Sequence, residues 1–389
     1  MTILETRSRS CTGQHAGLVA VVIALTALAC AAHPGDAVAK WKLKGHGFGH
    51  GIGMSQYGAE GLARHGKNFR EIIKHYYTGV DIATSKTRSI RVLLQASAGS
   101  VRVRGATRAT GGKSLSAGKT YTIKRSGASL KLYDGGKLVG TYSDGLILTS
   151  ARPMRLLGTA LNGRTSYRYR GGFELSEGVF GGVTAVNNVD IDDYVQGVIP
   201  SEVPAEWRME TLKAQAVAAR SYALSTDAGG KVFDQYPDTR SQMYTGVNGE
   251  HPRSNQAAKE TSGLVALHRG KVATTFFFST SGGRTENVEN VFYGGSPKPY
   301  LVSVKDPYDK ISPRHTWTMT FSNSRLASKL GGGYVKGTLR NIKVIKRGVS
   351  PRVVKARVVG THGTTTINGA TLRSRLGLYD TWVSFRKTK

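Results

Sequence analysis

Residues 190–225 read DIDDYVQGVIPSEVPAEWRMETLKAQAVAARSYALS, and their second half predicts one long helix, from Pro204 to about Ser225. Pro204 fits a first helical turn, where its missing N–H costs nothing. Glu206 and Glu210 suit the first turns, facing the positive end of the helix dipole. Leu212, Ala216, Ala219 and Ala223 fall at i, i+4, i+7 and i+11 and make one apolar stripe of unusually small side chains. Small residues let another backbone lie close, so the helix is expected to be buried.

Glu202 stands two residues ahead of that predicted helix, between Pro200 and Pro204. The prolines restrict its backbone, so the carboxylate is held. On residue chemistry alone a capping or solvated glutamate is favoured over a catalytic one. The dipole of a following helix also argues against an acid role, because it favours the ionised form. A general acid at this position needs burial to raise its pKa.

On the N-terminal side, residues 88–190 read as strands. RSIRVLLQ, SVRVRG, YTIKR, LKLYD, GLILTS, YRYRG, FELSE and TAVNNV are short, rich in β-branched or aromatic residues, and separated by Gly, Ser and Asn turns. Residues 60–78 have helical spacing, with Leu62, Phe69, Ile72, Ile73 and Tyr76 on one face and Gly66 interrupting. Beyond residue 230, LVALHRGKVATTFFFS, LRNIKVIKR and RVVKARVVG continue the strand-like pattern. The fold class is α+β, strand-rich, with one long buried helix at about 204–225 and short flanking helices. No linker is visible between residues 40 and 389.

The first 39 residues differ from the rest. Arg7 and Arg9 precede an uncharged apolar run from Ala16 to Ala32, Pro34-Gly35 breaks it, and Ala37-Val38-Ala39 precedes Lys40. These are the parts of a secretory signal peptide, cleaved after Ala39, with a retained N-terminal anchor as the alternative. Both cysteines, Cys11 and Cys30, lie inside it, so the mature chain is expected to hold neither disulfide nor thiolate metal site. Arg7 and Arg9 are balanced by Glu5 and Asp36, so the whole net charge of +30 belongs to residues 40–389. A secreted basic protein concentrates on polyanions. Outside a cell these are anionic cell-wall polymers before nucleic acid, and no nucleic-acid-binding motif is present.

Residues 45–59, GHGFGHGIGMSQYGA, alternate glycine with other residues. Such glycines remove side chains along one side of an extended segment or permit positive φ, and either lets a ligand or another chain approach the backbone. His46 and His50 then rise from a low wall, with Ser55, Gln56 and Tyr57 just beyond. This set of donors with a flat aromatic suits a sugar; the other reading is tight packing against the small-residue helix. The spacing does not make GxGxxG, no GxxxxGK[ST] occurs, and Ser279 and Ser281 lack a GxSxG elbow.

Four blocks together resemble the stage II sporulation protein D (SpoIID/LytB) family. They are Tyr194–Trp207 with Leu212–Ala223, the glycine block Gly45–Ala59, Ser279–Glu286, and Pro299–Leu301 with Asp306-Pro307. The resemblance covers nearly all of residues 41–389. In most of the family the HGxGMSQ block comes last, after a segment like Gly369–Phe385; here that segment stands at the C-terminal end and the block comes first. A circular permutation is inferred, which requires the strand near 381–387 to lie close to Trp41. The domain is then read as a displaced segment (40–80), a β-rich portion (88–190), a core with Glu202 (190–320) and a C-terminal β-rich portion (321–389).

What the resemblance implies is peptidoglycan chemistry. Family members include lytic transglycosylases, which cleave the MurNAc–GlcNAc β-1,4 bond and leave a 1,6-anhydro-muramyl end. There the substrate's own C6 hydroxyl attacks, so one carboxylate suffices where ordinary glycosidases need two. Glu202 matches the family's catalytic glutamate. His46, His50, Ser55, Gln56, Tyr57, Gln215, Arg220, Tyr222, Ser279, Ser281, Gly282 and Gly283 are the implied substrate-binding set. For Gln215 and Arg220, steadying Glu202 and satisfying buried carbonyls stay open as alternatives. Some members hold zinc with the help of cysteine; without cysteine or HExxH, no metal and no cofactor is expected here. The expected partners are peptidoglycan glycan strands stripped of stem peptides, and anionic wall polymers. The competing reading is a non-catalytic, wall-binding enhancer of a cell-wall amidase.

Overall fold

The computed structural model describes residues 40–86, 89–292 and 295–388. The signal-peptide reading lies outside the described residues. Two six-stranded antiparallel sheets occupy the stretch read as strands. One has the order 137–142, 129–134, 120–126, 101–104, 154–157, 168–169; the other runs 89–98, 183–190, 172–177, 146–149, 108–109, 113–114. Their alternating apolar residues, among them Val101, Val103, Ile123 and Leu132 from the first and Val92, Leu94, Phe173 and Ala185 from the second, meet in one core. The molecule is α+β, as its element pattern predicts.

The helices correct the sequence reading in two places. Residues 60–78 form two helices, α1 (Gln56–Arg64) and α2 (Phe69–Tyr76). Gly66 takes φ +81° between them, and Asn68 starts α2 with a full capping box to Glu71. The stretch 190–225 is likewise two helices, α3 (Ile191–Glu202) and α4 (Met209–Ser225). Pro204 therefore starts no helix; it lies in the turn between them, where Trp207 N–H donates to its carbonyl at 3.2 Å. Gly197 and Pro200 concealed α3 from a propensity reading. Pro200 sits in the last turn of α3, where its missing N–H leaves the i→i−4 bond to the Gln196 carbonyl unmade.

α4 is buried, as its small stripe predicts. Leu212, Ala216, Ala219 and Ala223 face the two-sheet core, while Ala214, Val217 and Ala218 face a second core built with Ile52, Met54 and residues of α1 and α2. Its N-terminus has no side-chain cap of its own. Glu60 of α1 supplies one, accepting from Arg208 N at 3.0 Å and Thr211 Oγ1 at 2.9 Å. This fixes α1, and the glycine block before it, against α4.

The strand Lys40–His46 is central in a three-stranded antiparallel sheet between Thr316–Ser322 and Val383–Thr388. Leu43 lies opposite both Met319 and Phe385. The strand near 381–387 thus lies beside Trp41, the adjacency that a permuted block order requires. Trp41 and Leu43 enter a third core with α6 (Asn323–Leu330), α7 (Gly369–Leu376) and the antiparallel strands 339–347, 353–360 and 363–368. α5 (Pro252–Glu260) packs on α3 and α4.

Candidate active site

Glu202 is the last residue of α3, not a residue ahead of a helix N-terminus. The dipole argument therefore reverses. A carboxylate at the negative end of a helix is disfavoured, so the proton is held more tightly. Oε1 accepts from Met243 N–H at 3.1 Å, and the Gln56 side chain donates a second hydrogen bond. Both bonds favour the charged form. Withdrawal from water outweighs them, and the Glu202 carboxyl is raised above the ordinary glutamate range.

The carboxyl borders a cavity of about 450 Å³ lined by His50, Tyr222, the loop Thr239–Gln242, and Phe276, Phe277 and Phe292. Glu202 is the one carboxylate among the described residues of this lining. Arg240 on the rim is already engaged: it forks onto Asp238, at 2.6 Å for the shortest contact, and lies over the Tyr236 ring. Tyr222 stands edge-on to Phe276, ring centroids 5.7 Å apart.

His50 does not project as a free donor. Its Nδ1 accepts from Ile52 N–H at 3.1 Å and its Nε2 faces the Phe277 carbonyl at 3.0 Å, so the proton sits on Nε2. Burial, and then the charge of Arg373, depress its pKa to about 4. The imidazole stays neutral and offers a ring to the cavity, near Phe276, Phe278 and Phe292. The glycine block likewise presses on protein rather than opening a sugar groove. A Cβ at Gly51 (φ +88°) would stand 2.3 Å from Arg352 Nε, and one at Gly53 (φ +71°) would stand 2.1 Å from the Phe276 carbonyl oxygen. The close neighbours of these two glycines are Arg352, Phe276 and Tyr77, while Ile52 and Met54 of the same block pack with Ala214, Val217 and Ala218 of α4.

The remaining predicted residues divide among other places. Ser55 is fully buried as the N-cap of α1, accepting from Gly58 N–H and from Ser281 N–H at 3.2 Å. Ser281 Oγ and Gly282 N–H both donate to buried Asp309, whose other oxygen lies 2.9 Å from His315 Nδ1. Gly283 N–H bonds back to Ser281 Oγ. His46 packs between His315 and Trp382, against a separate cleft lined by Lys44, Thr316, Trp317 and Thr318. Tyr57 stacks edge-on to Trp207, and its N–H donates to the Ser279 carbonyl. Ser279 Oγ meets Thr280 Oγ1.

Arg220 is fully buried and settles its open alternative. It pairs with Asp192 at 2.6 Å in the first turn of α3 and donates to the carbonyls of Leu264, Ala216 and Ala258. Asp192 and Glu202 are ten residues apart on α3, about 15 Å at 1.5 Å per residue, so Arg220 anchors the far end of the helix that carries the carboxyl. Gln215 is also fully buried on α4, two turns before Tyr222 on the same face, and neither of its amide atoms finds a hydrogen-bond partner among the described residues. The structure thus joins Glu202, Gln56, His50 and Tyr222 in one place and sends the rest elsewhere. It adds Thr239, Ser241, Gln242, Phe276, Phe277 and Phe292. The polar loop carries no periodic signal, Phe276 and Phe277 read from sequence only as strand, and Phe292 lies outside the stretches read as strands.

An α+β scaffold holding a single desolvated carboxyl in an aromatic-lined cavity is the class that fold and site define. Residues 180–268, which include α3, α4 and the 239–242 loop, match the family model described as Stage II sporulation protein (SpoIID). It is 32% identical over 211 residues to Stage II sporulation protein D of Bacillus subtilis, covering 50% of this chain and 60% of that one. It is 39% identical over 158 residues to an uncharacterized protein of Brachyspira hyodysenteriae, covering 39% and 42%. It is also 37% identical over 135 residues to the Amidase enhancer of Bacillus subtilis, covering 35% of this chain and 18% of that one. The chain spans about half the length of the first of these relatives.

Proposed function

We propose that the protein acts on the bacterial cell wall as a secreted lytic transglycosylase of peptidoglycan glycan strands. The observation that carries this reading is Glu202: one protonatable carboxyl, raised in pKa, at a cavity whose lining holds no second carboxylate among the described residues. A hydrolase needs two such groups. In the transglycosylase, Glu202 donates its proton to the bridging oxygen as the C1–O bond breaks. The C6 hydroxyl oxygen of the same muramyl unit bonds to C1, and its proton returns to Glu202. One strand ends in a 1,6-anhydro ring and the other in a free hydroxyl; no water is consumed.

The basic sheet supports wall attachment. Lys40, Lys42 and Lys44 are exposed on one face of the Lys40–His46 strand. Their register partners are Thr388, Arg386 and Ser384 on one side and Ser322, Thr320 and Thr318 on the other. This ladder of cations and hydroxyls, spaced at about 7 Å along the strand, suits an anionic wall polymer. The permuted block order belongs to the same proposal. The relative named Amidase enhancer favours a second reading, in which the protein binds glycan and assists a cell-wall amidase without cleaving.

Digestion of glycan strands, with and without stem peptides, by wild type and Glu202→Gln separates the two. Anhydro-muramyl ends from wild type alone are the expected result. Reducing ends would mean hydrolysis and a second acid elsewhere. Binding without cleavage, with amidase stimulation retained in Glu202→Gln, would replace the enzyme reading by the enhancer.

A further inference from the structure

The wall of the Glu202 cavity contains a donor that the protein leaves unused. Gln242 is 1% exposed and lines the cavity. Its Oε1 accepts from the Tyr194 hydroxyl at 3.0 Å, and Tyr194 is itself fully buried. Its Nε2 is buried and has no hydrogen-bond partner among the described residues. The next residue, Met243, holds Glu202 by its backbone N–H, so amide and carboxyl are one peptide apart. A buried amide donor without an acceptor is destabilising, because it has given up water for nothing. A group pinned on one side, with an unused donor on the other, in a residue that lines a cavity is placed to serve a ligand.

We propose that Gln242 is a specificity-determining residue, its Nε2–H donating to the acetamido carbonyl of the sugar bound beside Glu202. The inference rests on the glycan reading above. The cavity lining mixes two unlike kinds of side chain. Glu202, Gln242, Ser241 and Thr239 are polar; Phe276, Phe277 and Phe292 are not. An acetamido group has the same division, a carbonyl acceptor at one end and a methyl at the other. A sugar carboxylate would call for a free cation, but Arg240 is committed to Asp238. Loss of the acetyl group would leave Nε2 unpaired, and a site built around a hydrogen bond rejects a ligand lacking it more strongly than an apolar pocket rejects a missing methylene.

The test uses binding, so that it does not depend on cleavage. The Glu202→Gln protein is titrated with a tetramer of N-acetylglucosamine and with the fully de-N-acetylated tetramer, and the titrations are repeated with Gln242→Ala added. A preference for the acetylated tetramer that falls at least fivefold on Gln242→Ala is expected. The de-N-acetylated sugar is cationic and this protein is basic, but that repulsion is the same in both variants, so the change in preference isolates the amide. Tyr194→Phe is the second variant: it keeps the ring and frees the amide to turn, and should lose part of the preference even if Gln242→Ala does not fold. On denuded strands, Gln242→Ala should raise KM more than it lowers kcat. An unchanged preference in a folded variant, or no binding of either tetramer, overturns the inference. A Gln242-dependent preference in a protein whose wild type does not cleave keeps it while sinking the transglycosylase.

Discussion

Glu202 and Glu286 are glutamates of the same chain in opposite surroundings. Glu286 is fully buried, and its two oxygens accept from five donors: Asn287 N–H, Asn290 Nδ2, Val349 N–H, Ser350 N–H and Ser350 Oγ, at 2.5 to 3.0 Å. Around it run Arg352 and Asp380, a buried pair joined by two hydrogen bonds at 2.8 and 2.9 Å. Glu202 has two donors, a cavity and the negative end of a helix. Where every lone pair is used, the carboxylate ties loops together. Where donors are few and water is thinned, the proton is held more tightly. Burial alone does not mark a catalytic acid; burial with unfilled acceptor capacity beside an open cavity does.

The widest separation between the two comes from removing each carboxylate. Glu202→Gln should lower glycan cleavage by about a thousandfold or more, within the usual range for a lost general acid, while leaving the melting curve nearly unmoved. Glu286→Ala should do the reverse. It strands several buried donors and costs at least about 3 kcal/mol, with folded variant retaining its turnover per molecule. Cleavage assays paired with urea titrations read both, and a stable Glu286→Ala with impaired turnover would break the comparison.

A third buried carboxylate sharpens it. Asp306 faces Ser55 and Gly58 from α1, Tyr76 from α2, and Ser281 and Asp309 from the loops around it. Burial first, and the charge of Asp309 second, push its pKa up to about 7. The folded state therefore binds a proton that the unfolded chain has released, and stability falls as pH rises from about 4 to about 7. Asp306→Asn should be more stable than wild type at pH 8, by up to about 4 kcal/mol at 1.4 kcal/mol per pKa unit, and no more stable at pH 4. Equal stabilities at pH 8 would show that Asp306 is already well paired.

These contrasts also explain what the sequence could and could not disclose. The strands from residue 88 to 190 and the strand 339–347 were legible, because alternation of burial is written in residue type. So was the small-residue face of α4, and so was the neighbourhood of Trp41 and the 381–387 strand, through the order of the family blocks. α3 was not, because Gly197 and Pro200 read as breakers while tertiary packing of Tyr194, Val195, Val198 and Ile199 overrides them. That one missed helix placed Glu202 at the wrong pole of a dipole. The histidines of the glycine block were legible as residues and not as roles. His50 is consumed by Ile52 and Phe277, contacts that span 2 and 227 positions. Gln242 carried no signal at all, since an orphan amide exists only once its neighbours are folded around it.

The smallest expected effect bears most directly on how Glu202 is tuned. Its pKa is a balance of desolvation against the donors Met243 N–H and Gln56. On the transglycosylase reading it must be protonated, so cleavage is expected to fall as pH rises through a pKa above the ordinary 4.5. Gln56→Leu removes one of the two bonds that favour the charged form. The alkaline limb of kcat/KM should then move to still higher pH, by a fraction of a unit, with the maximum rate below the limb little changed. A limb that moves to lower pH would mean that Gln56 favours the protonated form, accepting the carboxyl proton instead of donating to the carboxylate. The profile would in that case make Gln56 part of how the acid holds its proton.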